Sequence, residues 1–191
     1  MTQWQDGYGV KIEDFDPNTG FSRRGQPLDP ASERAFFTSL RSTLVKSPQL
    51  AMNELLQIAV AHCHADSSGI SLEEVGPTGE LQFRWVAVAG SFVQYLNGTT
   101  PRFYSPCGTC IDRGIPQRYQ VSQPYYNSLG VTAQPIRDGL LVPWHSAQRP
   151  GTLWIVSHGS EDAFTANDFA LMCRLADFVS AGIEDLPQGP S

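Results

Sequence analysis

Ser105-Pro106-Cys107-Gly108-Thr109-Cys110 sets two thiols three residues apart, and three kinds of chemistry use that spacing. A redox dithiol needs a nucleophilic thiolate, activated by a helix N-terminus, and a second thiol to resolve the mixed disulfide. Half a zinc site needs a second closely spaced pair of nitrogen or sulfur ligands. A helix start that carries sulfur needs neither: Ser105 is a good N-cap and Pro106 suits the first helical position. A thioredoxin-like motif follows a buried strand in a βαβ unit, whereas the preceding TTPRFY is polar and interrupted by proline. The spacing therefore predicts a loop-to-helix junction. Helical thiols at i and i+3 share a face, and the positive helix end is expected to lower the pKa of Cys107, so redox activity of Cys107 and Cys110 stays open as a second function.

The remaining metal-competent residues are dispersed. His62 and His64 flank Cys63 at a spacing that points side chains apart on a helix, and they read as solvated helix-end histidines. His145 and His158 end two segments expected to be neighbouring strands, but two histidines without a carboxylate or a third ligand are no metal site. No metal is expected, and no cofactor can be named. G-x-S-x-G, Walker, H-E-x-x-H and G-x-G-x-x-G patterns are all absent. What remains is aromatic. Between Gly90 and Pro135 the chain is rich in Phe and Tyr, and a pocket wall of Tyr95, Phe103, Cys107, Tyr119 and Tyr125, with Trp144 from a later strand, would be mostly apolar with a few orienting polar groups. The same aromatics would also serve a plain second core.

These residues need elements to hold them. Residues 1–28 show no sustained period and read as an N-terminal arm, extended or partly disordered; 29–187 form a single domain and 188–191 a tail. Asp29-Pro30 and Ser47-Pro48 both signal helix starts, and Met52, Leu55, Leu56, Ala59, Val60 and Cys63 form the apolar stripe of the second helix, with Cys63 in the core. Ile70 and Leu72, then Leu81, Phe83, Trp85, Ala87 and Ala89 beyond a Pro-Thr-Gly turn, alternate as an antiparallel hairpin. Between this hairpin and the next, the aromatic stretch is long enough to build a site or to hide short helices. GLLVPWH and TLWIVSH form the second hairpin. Thr165 caps the last helix, with Asp168 in its first turn and Phe164 facing Phe169 as a hydrophobic staple. Its second apolar stripe, Leu171, Leu175 and Phe178, must bury against the N-terminal helices or another subunit, and a homodimer through these helices is expected.

A chain of 191 residues is long enough for one sizeable core. Net charge −6 without a basic run excludes a phosphate-backbone partner. No apolar run reaches the roughly 20 residues of a membrane span, and the acidic N-terminus lacks a secretory pattern, so a cytoplasmic address is expected. Four cysteines are too few for a disulfide scaffold.

FYSPCGTCIDRGIPQRY, PIRDGLLVPWHSAQRPGTLWIVSHGSEDAFTANDFALMCRLADF and the helix and hairpin before them, residues 48 to 185, resemble a GAF domain, most like those of bacterial sensor histidine kinases. The resemblance implies an α+β, PAS-related fold: a central antiparallel sheet of about six strands with the N- and C-terminal helices on one face. It also implies a ligand pocket between sheet and loop region, and output through the terminal helices. The chain lacks a kinase core, and Met1 and the PQGPS tail favour a complete short protein, so a histidine kinase or other signalling partner is implied. The free methionine-R-sulfoxide reductases of this fold are similar at Cys107-Gly108-Thr109, but the further cysteine expected of them has no counterpart in Asn127 to Asp138. Phytochrome-type GAF domains carry a Cys-His pair in the loop region; here the pair lies at Cys63, so no bilin is expected. The expected function is a small-molecule sensor or regulatory module, with a thiol reductase as the alternative. A core lacking a cavity above about 300 Å³ would instead favour an interaction domain with a filled pocket.

Overall fold

The computed structural model describes residues 3–5, 9–16, 29–103, 105–144 and 149–182, with side chains from residue 9 onward. One eight-stranded antiparallel sheet runs β1 (Gln3–Gln5), β2 (Val10–Asp14), β6 (Gln117–Val121), β7 (Ile136–Trp144), β8 (Gly151–Ser157), β3 (Ser67–Val75), β4 (Leu81–Gly90) and β5 (Thr99–Pro101) in spatial order. Helices α1 (Pro30–Lys46), α2 (Pro48–Cys63) and α5 (Ala166–Gly182) cover one face, with Leu40, Leu55, Leu56, Met172 and Leu175 meeting Ile70, Leu140, Leu153 and Ile155 of the sheet. The short helices α3 (Pro106–Arg113) and α4 (Gln123–Ser128) belong to the opposite face. The α+β architecture is thus the expected one, with eight strands in place of about six.

The extra strands come from two segments whose sequences carry little periodicity. Part of the N-terminal arm joins the sheet: β2 pairs with β6 from Val10–Val121 to Asp14–Gln117, burying Val10 and Ile12. The aromatic stretch also contributes strands, β5 at one edge and β6 inside the sheet, rather than only capping it. Arg118 of β6 holds the fully buried Asp138 of β7 through Nε (2.7 Å) and Nη2 (3.0 Å), and Asp138 also accepts the backbone N–H groups of Ala163 and Phe164 before α5.

Local signals act where capping rules place them. Asp29 accepts Ser32 N–H at 3.0 Å, and Ser47 accepts Leu50 N–H at 3.4 Å. Thr165 and Asp168 cap each other reciprocally, at 2.7 and 3.3 Å. Phe164 is buried, while Phe169 stacks on Phe15 of the arm with ring centroids 4.0 Å apart. The second stripe of α5 is internal: Leu171, Leu175 and Phe178 are buried within the chain, with Phe178 against Phe37 of α1. Packing on the N-terminal helices therefore accounts for that stripe, so its burial does not by itself require a second subunit. No described helix is long and apolar enough to cross a membrane.

Candidate functional site

A cavity of about 110 Å³ lies between the sheet and the α3–α4 side of the molecule. Its walls come from every part of the aromatic stretch and from the sheet beneath: Trp85, Phe92, Tyr95, Leu129, Ile136 and Trp154 supply apolar surface. Cys107, Tyr119, Tyr125 and Tyr126 bring polar side-chain atoms, and Thr99, Thr100 and Ser105 also border it. Among the described residues no charged side chain lines it.

Each wall has a local cause. Trp85 faces the cavity because β4 is bulged: Ile70 pairs with Ala87 but Ser71 pairs with Trp85, so Val86 is extra. The bulge puts Phe83 and Trp85 on the cavity face and Ala87 and Ala89 on the helix face, splitting residues that simple alternation assigns to one side. Trp154 lies over Gly69, its partner on β3, and its indole N–H donates to Ser71 Oγ at 2.9 Å. Tyr119 lies over Gly139 of β7 in the same way. The outer wall, Leu129 to Ala133, is fastened by the Tyr95 hydroxyl, which donates to the Thr132 carbonyl, and by Val131 N–H on Tyr126 O at 3.0 Å.

The CGTC stretch is a loop-to-helix junction. Ser105 caps α3 by accepting Cys107 N–H at 3.2 Å, and Gly108 is required because the Arg102 carbonyl lies where a β-carbon would be. Arg102 in turn bridges Glu73 of β3 (2.5 Å) and Asp112 of α3 (2.6 Å), seating the helix on the sheet. Both thiols are free and buried. The Thr152 hydroxyl donates to Cys107 Sγ at 3.2 Å, and Cys110 directs its thiol to the Ile115 and Leu141 carbonyls. Burial pushes the Cys107 pKa up, outweighing the hydrogen bonds from Thr152, Ser71 and Ser105, and pushes Cys110 well up with Cys107 adding to the effect. The lowering expected from the helix end is thus overturned by desolvation.

Of the expected lining, Tyr95, Cys107, Tyr119 and Tyr125 meet at the cavity. Phe103 does not: it is 70% exposed beyond the Arg102 anchor. Nor does Trp144, which is packed on the helix face over Gly151 with its indole N–H on Arg149 O. Trp85, Phe92, Tyr126 and Trp154 line the cavity without having been singled out. Their aromatic density was visible, but the face each occupies depends on the bulge and the cross-strand register. Tyr104 and His145 lie outside the described residues, as do residues 183–191. His62 and His64 are exposed, whereas His158 donates from Nδ1 to Pro135 O (2.9 Å) and accepts the Ser91 hydroxyl at Nε2 (3.1 Å). Among the described residues no three His, Cys, Asp or Glu converge as metal ligands.

The polar end of the cavity is unusual. Tyr119, Tyr125 and Tyr126 are each only 6% exposed, and none of their hydroxyls has a hydrogen-bond partner among the described residues. The Tyr119 and Tyr125 hydroxyls lie near enough to Cys107 Sγ, and that of Tyr126 near enough to Tyr125, for ionisation of one to oppose ionisation of the next. Burial raises all three phenols, so each remains a neutral donor through the physiological range.

No family model and no curated protein matches the chain. Solved structures do match in fold. The GAF domain of a Coxiella burnetii phosphoenolpyruvate-protein phosphotransferase has a TM-score of 0.58 at 15% identity, over 80% of this chain and 92% of that one. Free methionine-R-sulfoxide reductase from Neisseria meningitidis has a TM-score of 0.57 at 14% identity, over 86% and 96%. The GAF domain of an Acinetobacter phosphoenolpyruvate-protein phosphotransferase has 0.55 at 10%, over 85% and 100%. The chain has the GAF-domain fold.

Proposed function

We propose that the chain is a sensor or regulatory module that binds a small molecule in the aromatic cavity and relays its occupancy through the terminal helices to a partner. The observation that carries this reading is the set of three buried tyrosine hydroxyls that have no hydrogen-bond partner among the described residues, in an apolar cavity. A pocket filled for structural reasons alone leaves polar atoms satisfied, because each buried unpaired donor costs about 1–3 kcal/mol. The cavity, at about 110 Å³, falls below the mark of about 300 Å³, which by volume alone favours an interaction domain with a filled pocket; the tyrosine hydroxyls are what favour an occupant over that reading, and the volume limits it to a small one. Relay is physically short: Leu141 and Trp154 border the cavity, while Leu140, Leu153 and Ile155 on the same strands pack in the core shared with α2 and α5. The outer side of α1 and α5 carries a groove of about 800 Å³ with Phe37, Leu44 and Phe178 among Arg34, Arg41 and Arg174, the surface on which a second copy or a signalling protein such as a histidine kinase would dock.

Native mass spectrometry of freshly purified protein tests the reading: a retained small mass released on denaturation supports it. The reductase alternative requires a reactive thiolate, and the buried, upward-shifted Cys107 speaks against one. Turnover of methionine-R-sulfoxide that vanishes in Cys107→Ser would reinstate it.

A further inference from the structure

Resting on the small-molecule reading above, we infer that the cavity selects an electrically neutral, single-ring molecule bearing one hydrogen-bonding oxygen, of the phenol or cyclic-ketone class. Size comes first. An apolar cavity of about 150 Å³ accommodates benzene, so one of about 110 Å³ takes a single small ring fitted tightly.

Shape follows from the walls. Trp85 and Trp154 have ring centroids 4.8 Å apart, Phe92 lies 5.8 Å from Trp85, and Tyr95 lies 5.6 Å from Phe92. These rings, with Leu129, Ile136 and Leu141, present flat apolar surface that stacks well on another ring.

Charge is decided by what is absent from the lining. Among the described residues no Lys, Arg, His, Asp or Glu borders the cavity, so an ionised ligand would lose its hydration without gaining a counter-ion. The polar end supplies neutral donors instead. The hydroxyls of Tyr119 and Tyr125 lie near Cys107 Sγ, which is itself held by Thr152, and that of Tyr126 lies near Tyr125. A ligand oxygen seated there would take one or two of these donors and remove an existing penalty. This makes the oxygen selective as well as tolerated: an isosteric hydrocarbon leaves the phenols unpaired.

The probes are phenol, toluene and benzoate, titrated into the full chain by NMR at pH 7.5, with xenon under pressure reporting whether the cavity is open. Phenol is expected to perturb the cavity residues and to bind roughly tenfold more tightly than toluene, the factor one buried hydrogen bond supplies. Benzoate is expected not to bind. Of Tyr119→Phe and Tyr125→Phe, with folding checked by circular dichroism, the one that removes this hydrogen bond should weaken phenol by a factor of roughly ten, and both should leave toluene unchanged. Equal affinity for toluene and phenol, or preferred binding of benzoate, overturns the ligand class while the cavity reading stands. Xenon entry without phenol binding does the same. Exclusion of xenon together with all three probes removes the small-molecule reading itself.

Discussion

Tyr119 on β6 lies over Gly139, its direct partner on β7, so closely that a β-carbon at 139 would come within 3.0 Å of the ring. A missing side chain on one strand thus makes room for the aromatic wall of the next, and the position of the Tyr119 hydroxyl depends on it. Gly139→Ala is expected to push the ring into the cavity, to cost about 1–3 kcal/mol of stability by overpacking, and to reduce binding of the phenol probe roughly tenfold. Urea denaturation and NMR titration check the two effects separately. Unchanged phenol binding would show that the wall tolerates displacement.

The thiols should react in the reverse of the order that the CGTC spacing suggests. Thiolate is the reactive form, and burial raises Cys107 and Cys110, while Cys173 on α5 is half-buried with a pKa pushed up to about 11. In folded protein at pH 8, iodoacetamide mapped by mass spectrometry is expected to modify Cys173 before Cys107, and both slowly compared with unfolded chain. Labelling of Cys107 first would restore the redox reading.

Asp138 joins three elements: it receives Arg118 of β6 and the N–H groups of Ala163 and Phe164 leading into α5. Asp138→Ala removes an acceptor buried at 0% exposure and leaves Arg118 with only the exposed Asp162 as counter-ion, with an expected loss of about 3–5 kcal/mol. Thermal unfolding measures this. A loss below about 1 kcal/mol would mean that Asp162, 2.9 Å from Arg118, takes over the pairing.

Docking of β2 carries a pH dependence. The Gln117 hydrogen bond, aided by Arg113, lowers the Asp14 pKa below its ordinary 3.8. A lowered folded value means the contribution is complete above pH 3.8 and is lost as pH falls through the folded value. Backbone NMR shifts of Val10 to Glu13 should therefore move on acidification below about pH 4, and Asp14→Asn should abolish that step. A step that persists in Asp14→Asn would assign the titration to another group.

Leu175 of α5 is fully buried in the chain's own core. Leu175→Ala is expected to cost about 2–5 kcal/mol by leaving a cavity, without changing the sedimentation coefficient. A shift in oligomeric state would show that the stripe meets a second subunit after all.

Helix starts were legible in the sequence because capping is local. Asp29, Ser47, Ser105 and Thr165 each find their backbone or side-chain partner within three residues, and those contacts form in any arrangement of the rest. The two hairpins and the fold class followed from period and punctuation. Of the six expected lining residues, Tyr95, Cys107 and Tyr125 reached the cavity because their segments cover the sheet face that α1, α2 and α5 leave open, and Tyr119 reached it from β6 within the sheet.

What the tertiary structure alone decided is which side of the sheet each remaining residue faces. β8 is buried along its whole length and β7 almost so, since helices cover both faces, and such strands show no alternation from which to assign Trp144 to the helix face and Trp154 to the cavity. The bulge at Val86 reverses the facing of Trp85 relative to Ala87, and a bulge belongs to the pairing of two strands, not to either sequence. Desolvation likewise depends on everything packed around a group. The N-cap of α3 could be read from six residues, whereas the upward shift of Cys107 and the burial of the Tyr119, Tyr125 and Tyr126 hydroxyls exist only once strands and helices distant in sequence close around them.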